Sequence, residues 1–441
     1  MTDKQKRRAS LFNHCIDIDG EAVLFNAFTG NMACVPRSLN NIMDLGIDQR
    51  RQLVKLGFIV DSTPKDEVKF VVNTLAAPSR RMYLVFTVAT RCNLKCSYCF
   101  ENREKRSVMS LETLDLSLHW VEEQFAKGRF SDLSVIIFGG EPLLVPNQLM
   151  RVLNGLKNIR EKHNIYKVPI LLTTNALIGD GSLFQQLCEL GVTQIQVTFD
   201  GDAPVTNARR KSLRITDVYN ETLARIPMLA ELAELTIKLN FTPQTVESIP
   251  RFMDDLSRIP ALRDNNFRIK PEPIVRYQPG DGEMINPSEE FGSNDTRLAK
   301  AFDLICRLAE ERNMEIDRSA IFNTPCMAFR ESSYLLEPDG SLRSCISAFG
   351  MDSFSVGNVR KGSDHTGQSL ARRQRVKDLK ACVEGGCAFL PMCGGGCPYE
   401  KELVMGEVNG LLCRHDYFMA ALPVFVGSAW RTAKHKLFLQ A

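Results

Sequence analysis

The stretch Thr90-Arg91-Cys92-Asn93-Leu94-Lys95-Cys96-Ser97-Tyr98-Cys99-Phe100 sets three thiols at the spacing C-x3-C-x2-C, directly after an apolar, β-rich run over residues 83–89. A cysteine loop that follows a strand at once lies at the strand's C-terminal end, where parallel α/β folds carry their reactive groups. The count is informative. A structural zinc site closes a tetrahedral shell with four ligands, whereas a cubane iron-sulfur cluster on three cysteines leaves one iron open to a substrate or cofactor.

Outward from that loop, β-rich runs at 83–89, 133–138, 169–174, 194–199, 235–241 and 267–274 alternate with helical patterns at 110–126, 147–163, 182–190, 217–231 and 246–258. This alternation predicts repeated βα units on a parallel sheet. Six repeats are too few for a closed eight-stranded barrel, so the expected fold class is α/β, a partial (β/α)6 TIM-like barrel. The second strand ends in Gly139-Gly140-Glu141-Pro142, the third in Thr173-Thr174-Asn175 and the fourth in Thr198-Phe199-Asp200-Gly201. Consecutive glycines let a ligand approach the backbone, a carboxylate can meet an ammonium, and hydroxyl, amide and carboxylate groups suit a ribose. Each alone reads equally as a turn or cap; together they lie at strand ends on one face.

The 441 residues suffice for two or three domains, and 44% hydrophobic with 24% charged residues excludes a collagenous or disordered chain. A net charge of +3 implies no general nucleic-acid or membrane partner. The basic start (Lys4, Lys6, Arg7, Arg8) is followed by no signal-like apolar run, and the apolar stretch 418–430 contains Pro423 and Gly427. A cytoplasmic location is expected. In that reducing compartment the 14 cysteines point to metal binding or catalysis rather than disulfides. Cys15, Cys34, Cys188 and Cys306 are scattered within apolar patterns and are expected to be small buried hydrophobes.

Residues 11–75 predict a small separate unit: hairpin-like segments at 11–18, 22–25 and 32–35, punctuated by Asp19-Gly20 and Thr29-Gly30, then helices at 39–45 and 48–56. Residues 271–295 predict a long loop and 297–311 a helix, and beyond 315 the alternation stops while Gly, Pro and Cys become dense. A metal-organised core suits that last region, with a zinc ribbon as the structural alternative. The expected division is an N-terminal domain over 1–78, the barrel over 79–315, a cysteine-rich domain over 316–415 and a C-terminal helix over 416–441.

Residues 80–415 resemble the radical S-adenosylmethionine superfamily. Its cluster motif matches Cys92, Cys96 and Cys99, followed by the aromatic Phe100, and its glycine-rich motif for the methionine amine matches Gly139, Gly140 and Glu141. By analogy of strand position Thr174, Asn175, Thr198 and Asp200 would line the cofactor. Arg210, in the basic cluster Arg209, Arg210, Lys211 and Arg214, would meet its carboxylate; the cluster reads equally as a solvated loop. The resemblance implies reductive cleavage of S-adenosylmethionine by a [4Fe-4S] cluster to a 5'-deoxyadenosyl radical that abstracts hydrogen from an unactivated C–H bond, with flavodoxin or ferredoxin as electron donor.

The later cysteines resemble the SPASM extension of radical enzymes that modify peptides and proteins. Gly340, separated from Cys345 by four residues, and the C-x5-C-x3-C spacing of Cys387, Cys393 and Cys397 match its pattern; Cys382 and Cys387 depart from it, being separated by four residues where two are usual. Carried over, Cys382, Cys387, Cys393 and Cys413 would hold one auxiliary [4Fe-4S] cluster, and Cys326, Cys345 and Cys397 a second. Cys306 or a non-cysteine group would complete the second, unless its iron stays open to a substrate thiolate. Sulfatase-maturing members of this group carry an aspartate after the counterpart of Cys345, where this chain has Ile346. The reading therefore leans toward maturation of a ribosomally made precursor peptide, by thioether or carbon-carbon crosslinking, epimerisation or backbone excision. The N-terminal unit resembles winged-helix elements that bind a leader peptide by strand addition, and a purely structural cap is its alternative. Sulfatase maturation and a non-catalytic iron-sulfur carrier or binding module remain the rival functions.

Overall fold

The computed structural model of the chain describes residues 7–75, 77, 79–101, 106–264, 267–275, 292–317, 326–363, 379–433 and 437–438. The expected loop over 271–295 falls largely outside them, since only 271–275 and 292–295 are described, and 271–273 still belong to a strand.

After a two-residue strand, Arg8–Ala9, that pairs with Ile59–Val60, the strands β1 (Asn13–Ile18), β2 (Glu21–Asn26) and β3 (Met32–Val35) form an antiparallel sheet in that order. Asp19 and Gly20 both take positive φ, 50° and 90°, the conformation that a two-residue hairpin matched to strand twist requires. Cys15 shares the outward face of β1 with Asp17 and is exposed, contrary to expectation; Cys34 and Cys188 are half-buried and Cys306 is buried. The helix expected at 39–45 shrinks to a 3-10 turn at Ile42–Asp44, because the Asn41 side chain accepts from the Met43 amide and starts the turn late. A helix at Ile47–Lys55 follows, then one at Pro64–Leu75 that lies beyond the helices expected in this unit.

The barrel is built on β4 (Arg81–Ala89), β5 (Leu94–Cys96), β6 (Asp132–Gly139), β7 (Ile170–Thr174), β8 (Val192–Phe199), β9 (Arg210–Ser212), β10 (Glu234–Phe241) and β11 (Phe267–Pro273). Strands β4, β6, β7, β8, β10 and β11 pair in that order, all parallel, with helices between them; β5 and β9 form a separate antiparallel ribbon. Pro227 splits the helix expected at 217–231 into Val218–Leu223 and Ile226–Leu232, since proline lacks the donor a continuous helix needs. The large sheet stays open. β12 (Glu315–Ile316) extends it beside β11, and β13 (Ser333–Leu336) joins parallel to β4 at the other edge, followed by the antiparallel β14 (Ser341–Arg343), β15 (Ser355–Asn358) and β16 (Gly362–Ser363). The alternation does stop after residue 315, but the sheet continues, because four fully buried residues of β13 reach its edge.

Along β10 the alternation is clean: Leu235, Ile237, Leu239 and Phe241 are wholly buried, while Lys238 and Asn240 point to a central cavity. The apolar residues face the helical layer and the barrel interior is left polar. Helix α1 (Arg297–Glu311) covers this side and packs on α2 (His415–Thr432), joined through ring contacts Phe241–Phe302 and Phe302–Phe425, both 5.0 Å between centroids. Among the described residues no helix is long and apolar enough to cross a membrane. Because Phe302 links the sheet to α2, Phe302→Ala should lower unfolding free energy by about 3–5 kcal/mol. Urea unfolding followed by far-UV dichroism checks this, and a loss below ~1 kcal/mol would show that the helical layer repacks without it.

Candidate active site

The C-terminal ends of the parallel strands surround a cavity with an empty volume of about 910 Å³, open mouth included. Its closest backbone approach lies where β6 ends. Gly139 takes φ +126°, and a Cβ there would sit 2.2 Å from the Ala89 carbonyl oxygen; one on Gly140 would sit 2.2 Å from the Arg91 oxygen. The gap is closed by hydrogen bonds from the Gly140 amide to Ala89 O (3.0 Å) and from the Glu141 amide to Arg91 O (2.8 Å). These two bonds hold the start of the cysteine loop against the sheet.

The loop is anchored at its other end through β5, which pairs with β9 so that Cys96 lies opposite Arg210. Tyr98 then reaches into the barrel: its hydroxyl donates to Asp200 (2.9 Å) and accepts from Arg210 Nη1 (3.1 Å) and Asn240 Nδ2 (3.0 Å). The group is buried, and Asp200 Oδ1 is left without a partner. Burial works against the charge of Arg210, but Cys96, Tyr98 and Asp200 outweigh it and hold the guanidinium charged.

Cys92, Cys96 and Cys99 all line the cavity, as do Gly139, Gly140, Thr174, Asn175, Thr198 and Arg210. Asn175 donates from Nδ2 to Asn93 (2.7 Å) and lies 3.9 Å from Cys92 Sγ. Asp200 does not line the cavity and meets it through Tyr98 and Arg210. Glu141 does not line it: Oε1 accepts from the Leu143 amide (3.1 Å) and Thr174 hydroxyl (2.7 Å), and Oε2 from the Asn175 amide (2.7 Å). Its carboxylate thus ties the β6 and β7 ends together, although burial still pushes it up. Of the basic cluster, Arg210 alone is fully inside, while Lys211 and Arg214 are exposed.

Sequence reasoning missed Tyr98, Glu101, Gln196, Lys238 and Asn240, which also line the cavity. For Gln196, Lys238 and Asn240 the signal was present as polar residues at alternate positions of otherwise apolar strands. Burial pushes Lys238 down, with Glu272 opposing, and pushes the Cys92 thiol up to about 12 and Cys99 higher still. Such buried thiols keep their protons until a metal replaces them. Three thiols on one fixed loop, facing a cavity with polar strand ends, fit an iron-sulfur cluster with an open iron. Among the described residues no three His, Cys, Asp or Glu side chains gather tightly enough for a single ion; a cubane spreads its cysteines, each on its own iron.

The later cysteines lie in two places. Burial and the charges of Cys387, Cys393 and Cys413 push Cys382 up to about 11. Separately, Cys345 is buried with Ala328, Ala348, Phe354 and Tyr399, and Cys326 and Cys397 pack against the same cluster. Cys306 belongs instead to the main core.

Residues 86–256 match the Radical SAM superfamily. That stretch of the barrel is a radical SAM domain; such a domain works with S-adenosylmethionine and a [4Fe-4S] cluster. Among its relatives, a probable GTP 3',8-cyclase of Methanococcus maripaludis is 26% identical over 213 residues, 47% of this chain and 65% of the cyclase. The radical SAM cyclopropyl synthase TigE of Paramaledivibacter caminithermalis is 25% identical over 36% of this chain and 38% of its own length. The chain thus spans less than two thirds of either. A cysteine-type anaerobic sulfatase-maturating enzyme of Clostridium perfringens is 23% identical over 71% of this chain and 88% of the relative. Two solved structures share the fold: anSMEcpe with bound AdoMet and the Cp18Cys peptide (TM-score 0.60, 19% identity, 80% of this chain and 100% of that one) and Streptococcus suis SuiB bound to precursor peptide SuiA (TM-score 0.53, 14% identity, 92% and 98%).

Gly140 offers a direct test of the loop anchor. Gly140→Ala must displace the Arg91 backbone, at a cost of about 1–3 kcal/mol. The expected result is a lower iron content per chain after anaerobic reconstitution, together with a lower melting temperature. Unchanged values for both would mean that the loop tolerates the shift.

Proposed function

We propose that the protein is a radical SAM maturase that modifies a ribosomally made precursor peptide, forming a thioether or carbon-carbon crosslink. The carrying observation is the residue after Cys345. Ile346 packs with Val85, Leu335 and Phe349 in an apolar cluster that also takes in Phe100 and Phe138. Phe100 and Phe138 line the cavity, so an apolar wall stands where the resemblance to sulfatase-maturing enzymes would require a carboxylate base. Peptides bound to SuiB and anSMEcpe support a peptide substrate.

Bound S-adenosylmethionine and the reduced cluster supply a hydrogen-abstracting radical. Cys92, Cys96 and Cys99 hold that cluster, Gly139 and Gly140 admit the cofactor to the backbone, and Thr174, Asn175, Thr198 and Arg210 orient it, with Asp200 acting through Tyr98. Cys382, Cys387, Cys393 and Cys413 would hold one auxiliary [4Fe-4S] cluster, and Cys326, Cys345 and Cys397 would supply three ligands to a second; these clusters would supply redox chemistry beside the peptide. A flavodoxin or ferredoxin delivers the electrons, in the cytoplasm. The N-terminal domain (1–78) receives the leader, supported by its β-edge chemistry: the Cys34 amide of β3 already donates to Leu437 O at 2.7 Å, an added-strand contact from the chain's own C-terminal region.

The test is the mass of a short peptide encoded beside this gene after co-expression with the enzyme. Crosslinking predicts loss of two hydrogens per link, epimerisation no change, and excision loss of a residue-sized fragment. The Cys92→Ala/Cys96→Ala/Cys99→Ala variant should keep auxiliary iron, release no 5'-deoxyadenosine and leave the peptide unmodified. Modification of a sulfatase peptide in its place would transfer the assignment to sulfatase maturation.

A further inference from the structure

The edge of a sheet presents unpaired N–H and C=O groups to any extended chain that can reach it, and β3 is such an edge. In its antiparallel pairing with β2, the Asn26 amide donates to Asn31 O and the bonded pairs alternate from there, so Met32 and Cys34 turn their backbone groups away from β2. Pro36, the next residue of that parity, has no amide to offer. The chain itself takes one of these donors. The Cys34 amide bonds Leu437 O at 2.7 Å, within a parallel bridge between Cys34 and Phe438.

Side chains secure the contact. Leu437 packs on the apolar cluster of the N-terminal domain that contains Leu24, Val35, Leu53 and Phe58. Phe438 stays 54% exposed, with its ring 5.8 Å from that of Trp430. Trp430 donates from Nε1 to Glu21 of β2 at 2.6 Å, so α2 ends beside this sheet, and only residues 433–436 separate it from Leu437. Such a short tether presents the segment to β3 at a high effective concentration. Even so, among the described residues it engages β3 through a single bridge, fewer contacts than a strand running the length of β3 would make.

We propose that the segment at Leu437 and Phe438 is an internal ligand of the β3 edge, which a precursor peptide must displace to add a strand of its own. This rests on the reading of the N-terminal domain as the leader-binding unit. The seated segment also defines the chemistry of its competitor: an extended chain that brings a carbonyl to the Cys34 amide and an aliphatic side chain to the cluster at Leu24 and Val35. Occupancy by the internal ligand lowers the apparent affinity of every incoming peptide in proportion to the fraction of molecules whose edge is free.

The test compares the iron-loaded full chain with a form ending at Ala433. Fluorescence anisotropy follows a labelled synthetic peptide, Lys-His-Lys-Leu-Phe-Leu-Gln-Ala, which is the stretch 434–441, and separately the short peptide encoded beside this gene. Each should bind the shortened form about tenfold or more tighter than the full chain, the gain expected if the edge is free in about one tenth of full-length molecules, and each should displace the other. Iron content and far-UV dichroism are measured on both forms. If the shortened form does not fold, Leu437→Asp in the full chain is used, and the same gain is expected. Equal affinity of the encoded peptide for both forms, or its failure to displace the synthetic one, overturns the inference and leaves leader binding standing. No binding of the encoded peptide to either form overturns the leader reading and the inference together.

Discussion

The rest of the site depends on one close backbone approach, the contact of Gly139 and Gly140 with Ala89 and Arg91. A parallel strand pair ordinarily diverges at its C-terminal end, because each strand leaves toward its own helix. Here the absence of two Cβ atoms lets the chain after β6 stay bonded to the chain after β4, at 3.0 and 2.8 Å. The cysteine loop therefore begins as an extension of the sheet rather than as a free connection. Its three thiols inherit the rigidity of the barrel.

The far side of the loop is held by a polar device. The Tyr98 hydroxyl, placed between two cysteines in sequence, joins the ends of β8, β9 and β10 through Asp200, Arg210 and Asn240. This works because the inner face of β10 is polar, its apolar residues being buried on the opposite face. The same parity that buries Leu235, Ile237 and Leu239 thus delivers Lys238 and Asn240 to the cavity. Core packing and site chemistry are two faces of one alternation.

That link explains how far the sequence could be read. The six strands and the helices at Leu111–Ala126, Pro146–Lys162 and Gly181–Glu189 follow from periodicity, and the cysteine loop from its spacing. The strand β13 was hidden because four residues carry too little pattern, and the break at Pro227 because the apolar period continues across it. At the site, Gly139, Gly140, Thr174, Asn175 and Thr198 were legible as strand-end residues, and Arg210 by its position in a basic cluster. Glu141 was legible in position but not in role, since its three donors come from Leu143, Thr174 and Asn175 and appear only once the strand ends converge. Glu101 carried no signal beyond its nearness to Cys99, because its burial against the cavity is a property of the folded site.

The spacing that departs from the SPASM pattern has a local explanation of the same kind. Four residues rather than two separate Cys382 from Cys387, which in an extended chain would carry the thiols apart. The segment instead forms a short helix, Lys380–Glu384, that ends with Gly386 at φ +59°. The Cys387 amide bonds the Cys382 carbonyl at 3.0 Å, and the Gly386 amide bonds Val383 at 3.3 Å. This pair of bonds is the glycine-terminated helix stop in which the sixth residue returns to the first. The two extra residues are consumed by the turn, and Cys387 ends near enough that its charge helps burial push the Cys382 thiol up. The backbone path between two thiols is set by the turn as well as by the residue count, and here the left-handed glycine folds the four intervening residues back on themselves.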